Sequence, residues 1–204
     1  MTSKESLIAG GELIEAIADN LLIKDNDLLK DIPVLGTVLG GINFYTTLKA
    51  KMFEKKVYTF LYEFNPEELN SFKQTIKKKD TEDLGFEVLN VIDNVDKINQ
   101  IQMIARATKQ YISYLEEGKD TKYIFDHNIH IIRQLDDYIL SGLHAIYGDK
   151  PVNRIRAVDQ ALFNLGLLQQ KQELSYAGAE ISPGLSFESS TEGACFYKNI
   201  VCGD

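Results

Sequence analysis

The chain has 204 residues, of which 44% are hydrophobic and 25% charged, and its net charge is −8. That length can enclose the core of one domain with an appendage or of two small domains, and the composition excludes a wholly disordered chain. The acidic total argues against general binding of nucleic acid, whose phosphates such a surface repels.

The charge is unevenly spread. Residues 49–79 hold eight lysines and four acidic residues, a local excess of +4, so the rest of the chain carries −12. A lysine belt beside an apolar segment suits anionic lipid better than duplex DNA, which arginine-rich surfaces read. The same lysines also fit an ordinary solvated helix face.

The N-terminal residues MTSKESLIAGGELIEA place acids where a secretory leader needs an apolar stretch. The expected location is therefore cytoplasmic, or peripheral at the inner membrane. Thr2 and Glu5 have the spacing of a capping box, and Leu7, Ile14, Ile17, Leu21 and Leu22 follow at helical spacing, predicting a first helix to about residue 22. A polar link over 24–31 follows.

Residues 32–48, IPVLGTVLGGINFYTTL, form the most unusual segment: 17 residues without a charge. Pro33 suits the first position of a helix. A run of this length lies at the lower edge of what crosses a bilayer, and lysines at its end suit a cytoplasmic face. A central buried helix of a small bundle has the same composition. Gly36 and Gly40 are spaced to let another backbone approach closely. Val34, Leu35, Gly36, Leu39, Gly40 and Gly41 are thus candidates for contact with a membrane or a second copy, and Lys49, Lys51, Lys55 and Lys56 for contact with headgroups. The helix meets no stop before Asn65-Pro66, about 30 residues or roughly 45 Å on. Its second half is amphipathic, with Met52, Phe53, Val57, Phe60, Leu61 and Phe64 assigned to one face.

Asn65-Pro66-Glu67-Glu68 combines a cap, a first-position proline and a third-position acid, a strong helix start. This helix is predicted to end near residues 77–79. A fourth begins at Thr81 with Leu84, Val88, Leu89 and Ile92 apolar. A fifth spans about 95–117, closed by Gly118, and a sixth runs from after Asp120 to about Tyr147, closed by Gly148. In the tail, a helix over 152–168 ends in LGLL. Two strand-like runs, ELSYAGAE and GLSFES, are joined through Ser182-Pro183-Gly184, and a short helix STEGACFYKNIV follows. This order resembles the end of a winged-helix unit. It departs from that pattern in having one residue between Thr191 and Gly193, or two counted from Ser190. The expected fold is mainly α: a helical bundle over 1–148 and a small winged-helix-like α/β tail over 149–204.

Catalytic chemistry finds little to build on. His127 and His130 lie three apart beside Asp126, but a metal would need further ligands from Asp136, Asp137 or His144. A half-buried histidine among Ile129, Ile131 and Ile132 is the expected role. Helix capping accounts for Glu67-Glu68 and an exposed helix end for Glu116-Glu117. Asp136-Asp137, between Leu135 and Tyr138, is the one acidic pair with scope for burial, and a solvated helix face is the expected role. No GxSxG signature occurs, and LGTVLGG lacks the lysine of a phosphate-binding loop and the strand before it. Cys195 and Cys202 are expected as two free thiols. No catalytic residue, metal or cofactor is assigned. Asn153, Arg154 and Arg156 open the would-be recognition helix and are candidates for nucleic-acid or partner contact, with Asp159 opposing a phosphate.

The segments IPVLGT, KMFEKKVYTFLYEF and PEELNSF, with YISYLEEG at Tyr111 to Gly118, resemble a group of uncharacterised bacterial helical proteins over about residues 30–118. Leu165, Gly166, Leu167 and Leu168, then the hairpin and Phe196, resemble the tail of Abi-alpha type abortive-infection proteins. The resemblance implies a bacterial or phage origin and a part in phage defence, and it carries no catalytic motif. The expected function is a non-enzymatic interaction or effector protein that meets a protein partner, a second copy or an anionic membrane through its glycine-rich helix. The alternative is a soluble adaptor or regulator whose tail binds a protein partner or DNA.

Overall fold

The computed structural model describes residues 44–78, 82–148, 154–171 and 186–203. The helix expected over 2–22 and most of the uncharged run lie outside them. The chain is mainly helical, with eight α-helices, one π-helix and a two-stranded sheet near the C-terminus among the described residues. It divides into two compact units between Ile129 and His130.

In the first unit, α1 (Phe44–Tyr62) begins with the last five residues of the uncharged run. It buries Val57, Phe60 and Leu61 along one side. Met52 does not join them and is 52% exposed, because it lies about 100° around the helix from half-buried Phe53. The chain turns through Glu63 and Phe64 into Asn65, whose extended backbone is what a residue before proline prefers. There Asn65 caps α2 (Pro66–Ile76). Its Oδ1 accepts from the Glu68 amide at 2.9 Å, and the Glu68 carboxylate accepts from the Asn65 amide at 2.9 Å. This is the reciprocal capping expected from the sequence.

Helix α3 (Glu82–Asp93) buries Leu84, Val88, Leu89, Val91 and Ile92. It is followed by α4 (Ile98–Glu116), which packs against α1, α2 and α3. Helix α4 can be central because it buries a broad face, with Ile101, Met103, Ile104, Ala105, Ala107, Tyr111 and Ile112 enclosed. Thr108 is buried too, but its hydroxyl donates to the Ile104 carbonyl at 2.8 Å and so is satisfied.

The sixth helix expected from the sequence is two helices, α5 (Lys122–Gln134) and α6 (Asp137–Tyr147). Asp136 separates them: its Oδ1 accepts from the Ile139 amide at 2.7 Å, making it the N-cap of α6. In the second unit, α7 (Arg156–Asn164) packs on α6 and on β1 (Leu168–Gln170). Gly166, at φ +75°, ends the helix, so Leu167 and Leu168 leave it instead of extending it as expected. Strand β1 pairs antiparallel with β2 (Phe187–Ser189), setting Leu168 opposite Ser189 and Gln170 opposite Phe187. The ELSYAGAE run lies outside the described residues. Helix α8 (Thr191–Phe196) continues directly into a π-helix over Tyr197–Cys202.

The core of the first unit centres on Phe72, which has no solvent exposure. Its ring lies 5.7 Å from Phe60 and 5.4 Å from Phe64, centroid to centroid. Phe72→Ala is expected to cost about 3–5 kcal/mol, lowering the urea midpoint for unfolding of this unit by circular dichroism.

Candidate functional site

Of the ten residues assigned to membrane or oligomer contact, Val34, Leu35, Gly36, Leu39, Gly40 and Gly41 lie outside the described residues. The four lysines belong to α1, where their roles divide. Lys49 and Lys55 are exposed. Lys56 is turned inward: its ammonium donates to the Asp93 carbonyl at 2.9 Å and lies 3.5 Å from the Asp96 carboxylate. A cation at the carbonyl end of α3 also complements that helix's dipole. Lys51 is within the helix, which carries it on the same segment.

Behind the turn from α1 to α2, a cleft of about 400 Å³ is lined by Phe64, Glu67, Glu68, Ser71, Lys109 and Glu116, among others. The cleft already contains its own cation. Lys109 donates to the Glu63 carbonyl at 2.9 Å, lies 3.3 Å from the Glu68 carboxylate and sits 5.9 Å from the centre of the Phe64 ring. The Ser71 hydroxyl donates to Glu116. Glu63 accepts from Gln102 at 2.8 Å and from Arg106 at 3.2 Å. These carboxylates tie the turn to α4, a role that sequence spacing could not reveal because the partners are about forty positions apart.

A second charged cluster surrounds Tyr111, whose ring stacks on Phe125 at 5.2 Å. Lys122 donates to Glu87 at 2.8 Å and to Asp126. Burial pushes the Tyr111 phenol above its ordinary 10.0, and the negative charges of Asp120, Glu87 and Asp126 add to this against the opposing Lys122. Burial works to lower the Lys122 ammonium, but its hydrogen bonds to Asp126 and Glu87 outweigh this and leave it above its ordinary 10.5. Both shifts favour the protonated group in the folded chain. Their contribution to stability is therefore complete below about pH 10 and is lost as the pH climbs through the raised values. Urea midpoints are expected to fall above pH 10, and Tyr111→Phe should make that fall shallower.

His127 and His130 are both exposed, not half-buried as expected, and His130 Nε2 contacts Gln134 Nε2 at 2.7 Å. Asp136 and Asp137 are exposed as well, with Asp136 committed to its cap. Among the described residues no group of three or more His, Cys, Asp or Glu is placed to hold a metal ion. Cys195 and Cys202 are free and exposed.

In the tail, Arg154 is occupied internally. Its guanidinium donates to the Phe187 carbonyl at 2.9 Å and pairs with Asp159 at 2.9 Å, linking the start of α7 to β2. Asp159, which the sequence set against a phosphate, is thus the counterion of Arg154. Arg156 is exposed at the first position of α7, and Asn153 lies outside the described residues.

The unforeseen element of the tail is Tyr147. Its hydroxyl donates to the Leu167 carbonyl at 2.6 Å and accepts from the Ser190 amide at 2.9 Å, joining α6 to both strand ends. Ser190 in turn caps α8, accepting from the Gly193 amide at 3.0 Å. A side chain at 193 would overlap both the Leu167 carbonyl and the Tyr147 hydroxyl, so glycine is required by space there. Tyr197 stacks on Tyr147 at 5.7 Å, and its hydroxyl pairs with His144 Nδ1 at 2.9 Å.

No family model, curated protein or solved structure matches the chain. No helix among the described residues is long and apolar enough to cross a membrane.

Tyr147→Phe leaves the Ser190 amide without that partner. It is expected to cost about 1–3 kcal/mol, read as a lower urea midpoint and faster amide exchange at Ser190.

Proposed function

We propose that this is a non-enzymatic interaction protein that associates peripherally with an anionic membrane, in a bacterial phage-defence setting. One observation carries the reading. The last five residues of the uncharged run and all four lysines after it belong to a single helix, α1, so the end of the apolar run and the cations share one element. A lysine near an anionic surface contributes about 1 kcal/mol, and burial of apolar side chains from residues 32–48 adds to it. With Lys56 committed to the bundle, exposed Lys55 contributes to the electrostatic share. The defence setting rests on the resemblance of the C-terminal segment to Abi-alpha type proteins.

The tail supports a second reading, as a winged-helix-like contact for a protein partner. Helix α7, the paired strands and α8 follow one another in the order of such a unit. Arg154 is engaged by Asp159 and Phe187, and residues 149–204 carry seven acidic residues against five basic ones, a balance that favours a protein over a nucleic acid.

Flotation of the full chain with vesicles of phosphatidylglycerol in phosphatidylcholine tests the main reading. The chain is expected to float with these vesicles, less so at high salt, and to lose binding when Val34, Leu35 and Leu39 are all changed to Ser. A chain that stays in the soluble fraction at every salt concentration would overturn it.

A further inference from the structure

We infer that the outward side of α1, marked by Met52, Lys55 and Tyr62, is the surface by which the first unit lies on an anionic bilayer. This rests on the membrane association proposed above and adds to it which part of the folded unit meets the lipid. Met52 is 52% exposed and Tyr62 86% exposed, and Lys55 between them is exposed too. All three lie opposite Val57, Phe60 and Leu61, which enter the core, so these three side chains are exposed while the opposite side is enclosed.

The chemistry of the strip suits the edge of a bilayer. Tyrosine carries an apolar ring with a polar tip and concentrates at the membrane–water boundary. Methionine is flexible and apolar, and lysine can extend its ammonium to headgroup phosphates while its stem stays against apolar surface. Thr59 lies between Lys55 and Tyr62, and its hydroxyl donates to the Lys55 carbonyl at 3.0 Å, so it brings no unsatisfied donor to the lipid. From Met52 to Tyr62 the strip is about 15 Å long at 1.5 Å per residue, enough to lie flat in the interface but not to cross it.

Charge selects the partner. Residues 49–79 carry an excess of +4 in a chain whose remainder is −12. Helix α1 itself holds four lysines of this stretch and one acid, Glu54, a net +3, so an anionic surface attracts this helix. The final residues of the uncharged run, 44–48, share the helix that carries the strip.

The chain has no tryptophan, which makes a single introduced indole a specific probe. Met52→Trp, Tyr62→Trp and, as a reference on α5, Tyr123→Trp would each be mixed with the same phosphatidylglycerol vesicles. The probes at 52 and 62 are expected to shift to shorter emission wavelengths and to gain protection from an aqueous quencher, while the probe at 123 does neither. Lys55→Gln is expected to weaken partitioning about fivefold and to reduce its dependence on salt. If the chain floats but the probes at 52 and 62 stay as exposed as in buffer, the inference is overturned and the membrane association stands. If the unaltered chain fails to float, both fall together.

Discussion

The first unit depends on the packing of Phe72 against Phe60 and Phe64, which joins α1, the turn after it and α2 at one point. Three aromatic rings at centroid distances of 5.1–5.7 Å bury a large apolar area and gain about 0.5–1.5 kcal/mol per pair from ring geometry. The arrangement requires the chain to reverse within a few residues, and backbone groups in such a turn need partners. Asn65 and Glu68 supply them for the start of α2. Lys109 holds the Glu63 carbonyl, while Gln102 and Arg106 hold its carboxylate. The polar contacts thus fix the position of an apolar cluster. Half-buried ion pairs alone would contribute little after desolvation.

Features whose causes are local were legible in the sequence. The start of α2 was readable because cap, proline and acid lie within four residues, and the apolar faces of α3 and α4 were readable from their period. The break between α5 and α6 was hidden because Ile131, Ile132, Leu135, Leu140 and Leu143 keep the apolar pattern going on both sides of it. In the sequence Asp136 is half of an acidic pair, and an aspartate at an N-cap has the same identity and differs only in what its oxygen accepts. Met52 was grouped with the buried residues because it is apolar and adjacent to Phe53, although adjacent positions on a helix face different ways. The uncharged run was legible as a composition, and its first twelve residues are outside the described part of the chain.

The tail shows why much of a site escapes sequence reading. Tyr147 contacts Leu167 and Ser190, 20 and 43 positions away, so no spacing rule anticipates it. The sequence did show that a helix begins near Ser190 to Gly193, but not that Gly193 is small because Tyr147 and Leu167 occupy the space beside it. Ser190, which caps α8, is also the residue from which the expected two-residue spacing to Gly193 is counted.

How the cations are used bears on where this protein can act. Lys56, Arg106, Lys109, Lys122 and Arg154 all have partners within the fold, each between elements distant in sequence or at a helix start. A cation so placed gains from its partner and cannot turn to an external anion without leaving a carboxylate or carbonyl uncompensated. Lys55 is instead exposed on α1, between Met52 and Tyr62, two exposed large side chains that a purely solvated helix face has no need of. A phosphate-reading surface would require several such cations grouped on one element, and in the tail the arginine best placed for it is already committed. An interfacial surface requires fewer cations, provided apolar side chains accompany them. Among the described elements, α1 meets that requirement and lies next to the one long uncharged segment of the chain.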